Sequence, residues 1–289
     1  MSETVISLER VSKPLGAIEL GPIDVKLERG MVYAVVGPNG SGKSSLFKLI
    51  LGLLKPKQGE LRVFGSDPAV QDPALRERIG YVSESSDVYD DRLTGRSWAR
   101  FIQRWYPQWN GRLFAELVTE MEIDLTRQLR KMSKGERRRF DLAIGLAKEP
   151  ELLLLDEPSS GLDPLAWRHM NDRLTRFMSG GDRTIVMATH IVEEVRKLAD
   201  YIIFIHKGKM LGIYEKDELL AGWKVLWVEG LLEGKLGSAV EQTVEGKLTR
   251  VVTPSPAVTE RELAEAGGRL LRTEALGLDD ILYYMIQKG

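Results

Sequence analysis

The fold of this chain is decided by the stretch GPNGSGKS, which occupies residues 37–44 and matches the pattern G-x-x-x-x-G-K-[ST]. The stretch consists of Gly37, Pro38, Asn39, Gly40, Ser41, Gly42, Lys43 and Ser44. The apolar run at 33–36 predicts a strand buried on both faces, and a helix is expected to start at Lys43. Glycines at a helix N-terminus let successive backbone N–H groups wrap a phosphate. The stretch therefore predicts a nucleotide-binding site that extends to Ser45.

A second apolar run, at 152–155, ends in the adjacent carboxylates Asp156 and Glu157. Ligands bind at the carboxyl ends of strands in open α/β sheets, so we expect this pair to lie beside the glycine-rich loop. Lys43 is expected to contact the β- and γ-phosphates, while Ser44 and Asp156 hold Mg²⁺. Glu157 is expected to orient or deprotonate the attacking water. The alternative is that Asp156 and Glu157 are only solvent-exposed residues at the end of a strand. The glycine-rich loop upstream argues against this alternative.

The composition of the 289 residues excludes several classes of protein. Hydrophobic residues make up 43% and charged residues 29%, which is typical of a globular chain. Lys plus Arg total 41 and Asp plus Glu 42, and the net charge of -1 disfavours nucleic acid as the main partner. The absence of cysteine excludes disulfides, thiol catalysis and Cys-ligated metals. No apolar run approaches the roughly 20 residues of a membrane span, and the charged N-terminal stretch shows no secretory signal.

The order of the apolar runs predicts an α/β core. Residues 1–36 have strand character, and further buried strands are predicted at 184–188 and 201–205, alternating with helical patterns. This alternation implies right-handed crossovers and a largely parallel sheet. Apolar residues at helical spacing between about 92 and 150 predict a helical insertion in the core.

A break near Gly222 separates a nucleotide-binding domain, residues 1–221, from a C-terminal accessory domain, residues 222–289. We interpret the second domain as a small α+β appendage. Its predicted elements are strands at 224–229 and 247–253 and helices at 259–266 and 279–287.

Three further segments distinguish this chain from other nucleotide hydrolases. They are Met-Ser-Lys-Gly-Glu at 132–136, Ser-Gly-Leu-Asp at 160–163 and the strand end Ala-Thr-His at 188–190. Alone, residues 132–136 would be no more than a helix N-cap. Together with the loop and the carboxylate pair, the segments resemble the ATP-binding-cassette (ABC) ATPase family, whose signature is commonly L-S-G-G-Q. The resemblance covers residues 1 to about 220.

The resemblance implies a P-loop core with an antiparallel β subdomain, and two protomers arranged head to tail around two ATP molecules. Ser133 and the amide of Gly135, together with Glu136, are expected to close on the ATP of the other protomer. His190 matches the family's switch histidine, which contacts the γ-phosphate and ties Glu157 to the dimer interface. Hydrolysis then loosens the interface. Whether the mate is a second copy or a different cassette stays open.

Two positions depart from the family pattern. Glu84 occupies the place of a glutamine that normally follows the strand at 79–82. Its carboxylate is expected to reach Mg²⁺ or the attacking water, at the cost of extra negative charge beside Asp156 and Glu157. Leu15 stands where the family usually stacks an aromatic residue on adenine. Because stacking contributes about 1–3 kcal/mol per base, weaker discrimination between bases is expected.

The resemblance also implies a separate transmembrane permease, driven from the cytoplasmic face of the inner (plasma) membrane. The aromatic-rich stretch at 98–110, taken with 132–135, resembles bacterial ABC ATPases that serve multidrug or antibiotic exporters. We expect the permease to contact the loop at 83–92 and the helices at 97–121. Packing within the helical insertion is the alternative role for these aromatic residues.

Two other classes of protein are alternatives. A soluble ABC ATPase acting on nucleic acid or ribosomes is the first, although those on ribosomes usually carry two cassettes and those on DNA a long coiled coil. A P-loop kinase or GTPase is the second, and both the Ser133 segment and His190 disfavour it. Co-purification with a polytopic membrane protein favours transport, whereas binding to ribosomes or DNA favours the first alternative.

Overall fold

The structure, a computed structural model, describes residues 3–16, 18–70, 72–84, 92–232 and 234–288. The chain forms two units, Met1–Ile213 and Tyr214–Gly289. The first unit ends shortly before the boundary that the sequence predicts between residues 221 and 222. Within the described ranges, no helix combines the length and the apolar character needed to cross a membrane.

The first unit alternates strands and helices along most of its length. Its strands are β1 (Thr4–Leu15), β2 (Ile18–Glu28), β3 (Val32–Val36), β4 (Gln58–Val63), β5 (Ile79–Val82), β6 (Leu152–Asp156), β7 (Thr184–Thr189), β8 (Tyr201–His206) and β9 (Lys209–Glu215), the last of which continues into the second unit. Its α-helices are α1 (Lys43–Ile50), α2 (Pro73–Glu77), α3 (Gly95–Gln103), α4 (Gly111–Glu120), α5 (Lys134–Ala147), α6 (Pro164–Met178) and α7 (Val192–Leu198).

Two sheets organise this unit. A small antiparallel sheet has the order β2-β1-β4. The larger sheet has the order β5-β6-β7-β3-β8-β9, and its neighbours from β5 to β8 pair in parallel. Every residue of β3, β6 and β7 is buried, as expected for uninterrupted apolar runs. These two sheets confirm the predicted α/β fold with an antiparallel β subdomain.

The parallel register brings three strand ends together. Val36 pairs with Thr189, and Asp156 pairs with Ala188. The residues that follow β3, β6 and β7 therefore meet at one edge of the sheet, where open α/β folds place their ligands.

The helical insertion contains α3, α4 and α5 together with a short 3-10 helix, Leu129–Lys131. Each α-helix starts after a polar residue whose side chain accepts a hydrogen bond from a backbone N–H of the first turn. These residues are Thr94, Asn110 and Ser133. Since such caps satisfy N–H groups that have no carbonyl partner within the helix, the three helix starts are encoded locally.

The second unit is a four-stranded antiparallel sheet with helices. Its elements are α8 (Lys216–Gly222), β10 (Lys224–Glu229), β11 (Glu241–Glu245), β12 (Leu248–Thr253), α9 (Pro256–Glu265), β13 (Arg269–Ala275) and α10 (Leu278–Lys288). The strand order is β11-β12-β10-β13. Its core includes Leu226, Val228, Val251 and Leu263.

The sequence analysis missed strands β11 and β13, and it predicted the start of helix α9 too far along the chain. β11 is polar, and all seven residues of β13 are exposed, so neither carries the alternation that identifies a half-buried strand. Helix α9 begins at Pro256 rather than at residue 259. Proline fits the first turn of a helix because its φ is preset and its missing N–H has no partner there anyway.

A carboxylate at the start of β6 ties several strands of the first unit together. Glu151 accepts hydrogen bonds from the guanidinium groups of Arg78 and Arg29. These bonds, the one from Arg78 first, hold the pKa of Glu151 below its ordinary value of 4.5. A lowered pKa means that the contribution to stability is complete above pH 4.5 and is lost as the pH falls through the lower pKa of the folded state.

We therefore predict that Glu151→Gln lowers the free energy of unfolding by about 1 kcal/mol at neutral pH. The difference from the unsubstituted protein should shrink as the pH falls below 4.5, and urea denaturation across this range measures it. Glu9→Gln is the control, because the Glu9–Lys26 pair is more than half exposed and should contribute little. A Glu151→Gln effect that is constant with pH contradicts the prediction.

Candidate active site

The glycine-rich loop runs from the end of β3 into α1. A Cβ atom at Gly37 would lie 2.0 Å from the carbonyl oxygen of Ile205, so only glycine fits there. Gly42 has φ +109° and forms the N-cap of α1 without any side-chain cap. The first N–H groups of α1 therefore have neither an intrahelical partner nor a capping side chain, which is the arrangement that binds a phosphate.

A pocket of about 400 Å³ opens over this helix N-terminus. The residues that line it are Leu15, Ile18, Asn39, Gly40, Ser41, Gly42, Lys43, Ser44, Ser45, Glu84 and Glu157. Most of the predicted phosphate contacts, the predicted base contact and two of the predicted carboxylates thus share one cavity. Its volume lies within the range of about 300–1,000 Å³ that small-molecule sites occupy.

Lys43 is buried and held by oxygen atoms on two sides. Its Nζ donates to the carbonyl oxygen of Gly37 at 2.8 Å and lies 3.5 Å from Oε1 of Glu157. A buried ammonium requires such partners, because desolvation of an unpaired charge is costly. The same contacts place the positive charge between the loop and the end of β6.

Asp156 lies beneath the pocket as the last residue of β6. It is 3% exposed, and its Oδ1 has no hydrogen-bond partner among the described residues. Burial raises the pKa of Asp156, and a hydrogen bond with Ser44 acts against this effect. A buried carboxylate oxygen without a donor, next to a serine hydroxyl, is a suitable ligand pair for a hard cation such as Mg²⁺.

Glu157 combines an unusual backbone with a defined partner. Its φ of +48° lies in the left-handed region, which is uncommon for a residue with a side chain and marks a tight turn after β6. Its N–H donates to the carbonyl oxygen of Ala188 at 2.8 Å. Oε2 of Glu157 lies 2.8 Å from Nδ1 of His190, whose side chain is 54% exposed. The structure thus brings the side chains of Lys43, Glu157 and His190 together.

Ser133, Gly135 and Glu136 do not line this pocket. Ser133 caps α5: its Oγ accepts from the N–H of Glu136, and the Glu136 carboxylate accepts from the N–H of Ser133. Glu136 also pairs with Arg127, and the hydrogen bond from Ser133 lowers the pKa of Glu136. The Ser133 side chain thus serves the start of its own helix, and it remains exposed at the surface.

Residues 159–163 pack against the start of α5. Nζ of Lys134 donates to Oγ of Ser160 at 2.8 Å. A Cβ atom at Gly135 would lie 2.7 Å from the carbonyl oxygen of Gly161, so glycine is required for this approach. The turn that follows Glu157 therefore touches the segment that carries Ser133.

The sequence analysis missed Arg138, which connects α5 to the position of Glu84. Its guanidinium group is buried and donates to the carbonyl oxygens of Ser83 and Glu84, the latter at 3.1 Å. Burial lowers the pKa of Arg138. The sequence contains one signal that Arg138 faces the interior: position 138 shares a helix face with the apolar residue Leu142, four positions later. Of the loop predicted to meet a permease, residues 85–91 lie outside the described residues.

Comparisons with known proteins agree with this geometry. The family model described as ABC transporter matches residues 20–160. The daunorubicin resistance ATP-binding protein DrrA3 of Streptomyces coeruleorubidus is 34% identical over 83% of this chain and 78% of its own length. The Nod factor export ATP-binding protein I of Cupriavidus pinatubonensis is 30% identical over 96% of this chain and 89% of its own length.

This chain belongs to the ABC transporter family of ATP-binding subunits. A solved structure of an ABC transporter ATP-binding subunit matches this ABC ATPase with a TM-score of 0.69 at 26% identity, covering 75% of this chain and 92% of the other. The predicted family and activity are thereby confirmed: the protein is an ATP-binding and ATP-hydrolysing transporter subunit. These relatives favour transport over the alternative of action on nucleic acid or ribosomes.

The base of the nucleotide is expected to meet Leu15 and Ile18, which line the pocket without an aromatic ring. We predict that ATP and GTP are hydrolysed at similar rates. Leu15→Tyr should tighten ATP binding by about tenfold, within the 1–3 kcal/mol that base stacking contributes. Nucleotide titration followed by fluorescence measures this, with Leu15→Met as the control that keeps an apolar contact. A strong preference of the unsubstituted protein for ATP would count against the prediction.

Proposed function

We propose that this ABC ATPase powers export through a separate transmembrane permease, at the cytoplasmic face of the plasma membrane. The observation that carries the proposal is the similarity to a drug-resistance and a Nod factor export ATP-binding protein. The second similarity extends over 96% of the chain and so reaches into the C-terminal unit as well as the nucleotide-binding one. A shared accessory unit supports a shared type of transporter more strongly than the ATPase core alone.

For the chemical step, the residues at the sheet edge have distinct roles in this proposal. Lys43 and the first N–H groups of α1 bind the β- and γ-phosphates. Glu157 accepts a proton from the water whose oxygen attacks the γ-phosphorus, while the bond to the bridging oxygen of ADP breaks. His190 orients Glu157 through the 2.8 Å contact, and we assign it a contact with the γ-phosphate.

The residues present also fit a magnesium ion. Among the described residues, no group of three His, Asp or Glu side chains is arranged to hold a metal by itself. This agrees with Mg²⁺ chemistry, in which one or two protein ligands are completed by water and substrate phosphates. Asp156 and Ser44 are the proposed ligands, and Glu84 is placed in the same pocket to contribute a third oxygen. Bound there, the ion would neutralise charge that develops on the phosphates.

A second protomer completes the site in this proposal. Ser133 is exposed and does not line its own chain's pocket, so its hydroxyl group is accessible to another molecule. Two chains in head-to-tail contact with two-fold symmetry would each supply Ser133 and the amide of Gly135 to the ATP of the other. The mate is a second copy of this chain in the simplest form of the proposal.

We predict that Glu157→Gln binds ATP but lowers turnover by about 100-fold or more, the scale of a lost general base. Because ATP then persists in the interface, this variant should form a stable dimer on addition of ATP, detected by size-exclusion chromatography with light scattering. The double variant Glu157→Gln, Lys43→Ala should stay monomeric, since it lacks the phosphate contact. Should Glu157→Gln bind ATP and remain monomeric, the homodimer is wrong and a different cassette is the mate.

The proposed permease contact is a surface of α3 and the turn after it, here called the aromatic–arginine patch. It consists of Arg96, Arg100, Phe101, Arg104 and Trp105, all of them exposed. Phe101 and Trp105 are 45% and 66% exposed, although Phe101 also stacks on Trp98. Aromatic rings beside arginines are typical of residues that dominate protein interfaces. A cytoplasmic segment of the permease with apolar and acidic side chains would complement this patch.

We predict that the double variant Phe101→Ala, Trp105→Ala keeps its basal ATPase activity but is lost from the membrane fraction when co-expressed with its permease. Quantitative immunoblotting of washed membranes measures the loss, expected to be at least tenfold for two interface residues of this type. Leu53→Ala is the matched control, because Leu53 is 60% exposed elsewhere on the first unit. Membrane retention that is equal in both variants contradicts a permease contact at this patch.

A further inference from the structure

A buried carboxyl group behind the active site has no role in the chemistry described so far. Glu194 lies in the first turn of α7, four residues after His190, and is completely buried. Its Oε1 accepts a hydrogen bond from the N–H of Ser159 at 3.2 Å. Its Oε2 is buried as well and has no hydrogen-bond partner among the described residues. Such a group is costly to bury, so its presence calls for a function.

Glu194 joins the two segments that carry the catalytic pair. The first segment, 157–160, contains Glu157 and the turn after it, and the second, 188–194, contains His190. Three contacts connect them: the Glu157 N–H with the Ala188 carbonyl, the Glu157–His190 contact, and the bond from the Ser159 N–H to Glu194. The Glu194 side chain does not line the nucleotide pocket, so its contact with Ser159 acts from behind the catalytic pair.

The turn that Glu194 holds is under conformational constraint. Glu157 has φ +48°, and Ser159, whose N–H Glu194 binds, lies two residues further along the same turn. A left-handed residue with a side chain persists only where its surroundings fix it. From the opposite side, Lys134 donates to Ser160. The turn is thus held between α5 and α7.

The surroundings of the Glu194 carboxyl group shift its pKa. Burial raises the pKa of Glu194, and the nearby carboxylate of Glu157 raises it further, whereas the hydroxyl groups of Ser159 and Thr189 act in the opposite direction.

We propose that Glu194 is a positioning residue for the Glu157–His190 pair: through the Ser159 amide it fixes the turn that directs the Glu157 carboxylate at the γ-phosphate. The inference rests on the proposed roles of Glu157 and His190. It assigns Glu194 no contact with ATP. Its substitution should therefore affect the rate of hydrolysis and leave the affinity for the nucleotide unchanged, since residues 37–45 and their pocket are not touched.

The test compares Glu194→Ala, Glu194→Gln and the control Glu193→Ala in the full-length protein. Glu194→Ala should lower kcat by about 10- to 100-fold, the scale of a misplaced catalytic group, while ATP affinity changes less than about threefold. Glu194→Gln keeps an oxygen for the Ser159 N–H and should restore kcat to within about threefold of the unsubstituted protein. Glu193 is an exposed neighbour on the same helix, and its substitution should have no effect.

A double-mutant cycle separates positioning from general destabilisation. If Glu194 acts through the pair, Glu194→Ala in a His190→Ala background should lower kcat by much less than it does alone, because both changes misplace Glu157. If Glu194→Ala does not fold, Glu194→Asp provides the same comparison with a shortened carboxyl group.

Three results would overturn the inference. The first is that Glu194→Ala and His190→Ala lower kcat by factors that multiply in the double variant. The second is that Glu194→Ala weakens ATP binding as much as it lowers kcat, and the third is that Glu194→Gln is as slow as Glu194→Ala. The single variants Glu157→Gln and His190→Ala report on the proposed function itself. If both remain active, the proposed roles of that pair fail. If both are inactive while Glu194→Ala keeps its full kcat, only the role of Glu194 fails.

Discussion

The parallel hydrogen bonding of β3, β6 and β7 is the constraint on which the active site depends. Val36 pairs with Thr189, and Asp156 pairs with Ala188. The glycine-rich loop, the carboxylates and the histidine therefore lie at the ends of neighbouring strands. All three strands are buried on both faces, and their register is fixed by the packing of their apolar side chains. A shift of one residue would turn each side chain to the opposite face and separate Asp156 from Ser44.

This dependence explains which parts of the molecule the sequence could predict. Strands buried on both faces leave continuous apolar runs, and the candidate residues Lys43, Asp156, Glu157 and His190 stand at or shortly after the ends of such runs, which is why the sequence alone predicts them. In contrast, β11 and β13 of the second unit lie on the edges of a sheet, where few buried side chains leave a pattern. The contacts of Arg138 with Glu84 and of Glu194 with Ser159 span 54 and 35 residues, and no local pattern encodes them.

The charge balance of the pocket favours the binding of a divalent cation together with a triphosphate. Asp156, Glu157 and Glu84 all face or adjoin the place where an anionic polyphosphate would lie. Lys43 is a nearby cation, and the buried Arg138 adds positive charge from α5. The positive end of the α1 dipole contributes a partial charge only. Because burial already raises the pKa of Asp156, a bound cation would both relieve that carboxyl group and offset the phosphates.

The same turn that positions Glu157 also connects the two halves of the proposed dimer. In the proposed mechanism Glu157 acts at the γ-phosphate of its own site, and three residues later Ser160 accepts a hydrogen bond from the ammonium group of Lys134. Lys134 follows Ser133, which would contact the ATP of the other site. In the proposed dimer, a rearrangement of the turn after Glu157 would therefore act on the residue next to Ser133. The close approach of Gly135 to the carbonyl oxygen of Gly161 adds a second contact between this turn and the start of α5. In the proposed dimer, cleavage in one pocket would thereby be coupled to the contacts with the other ATP.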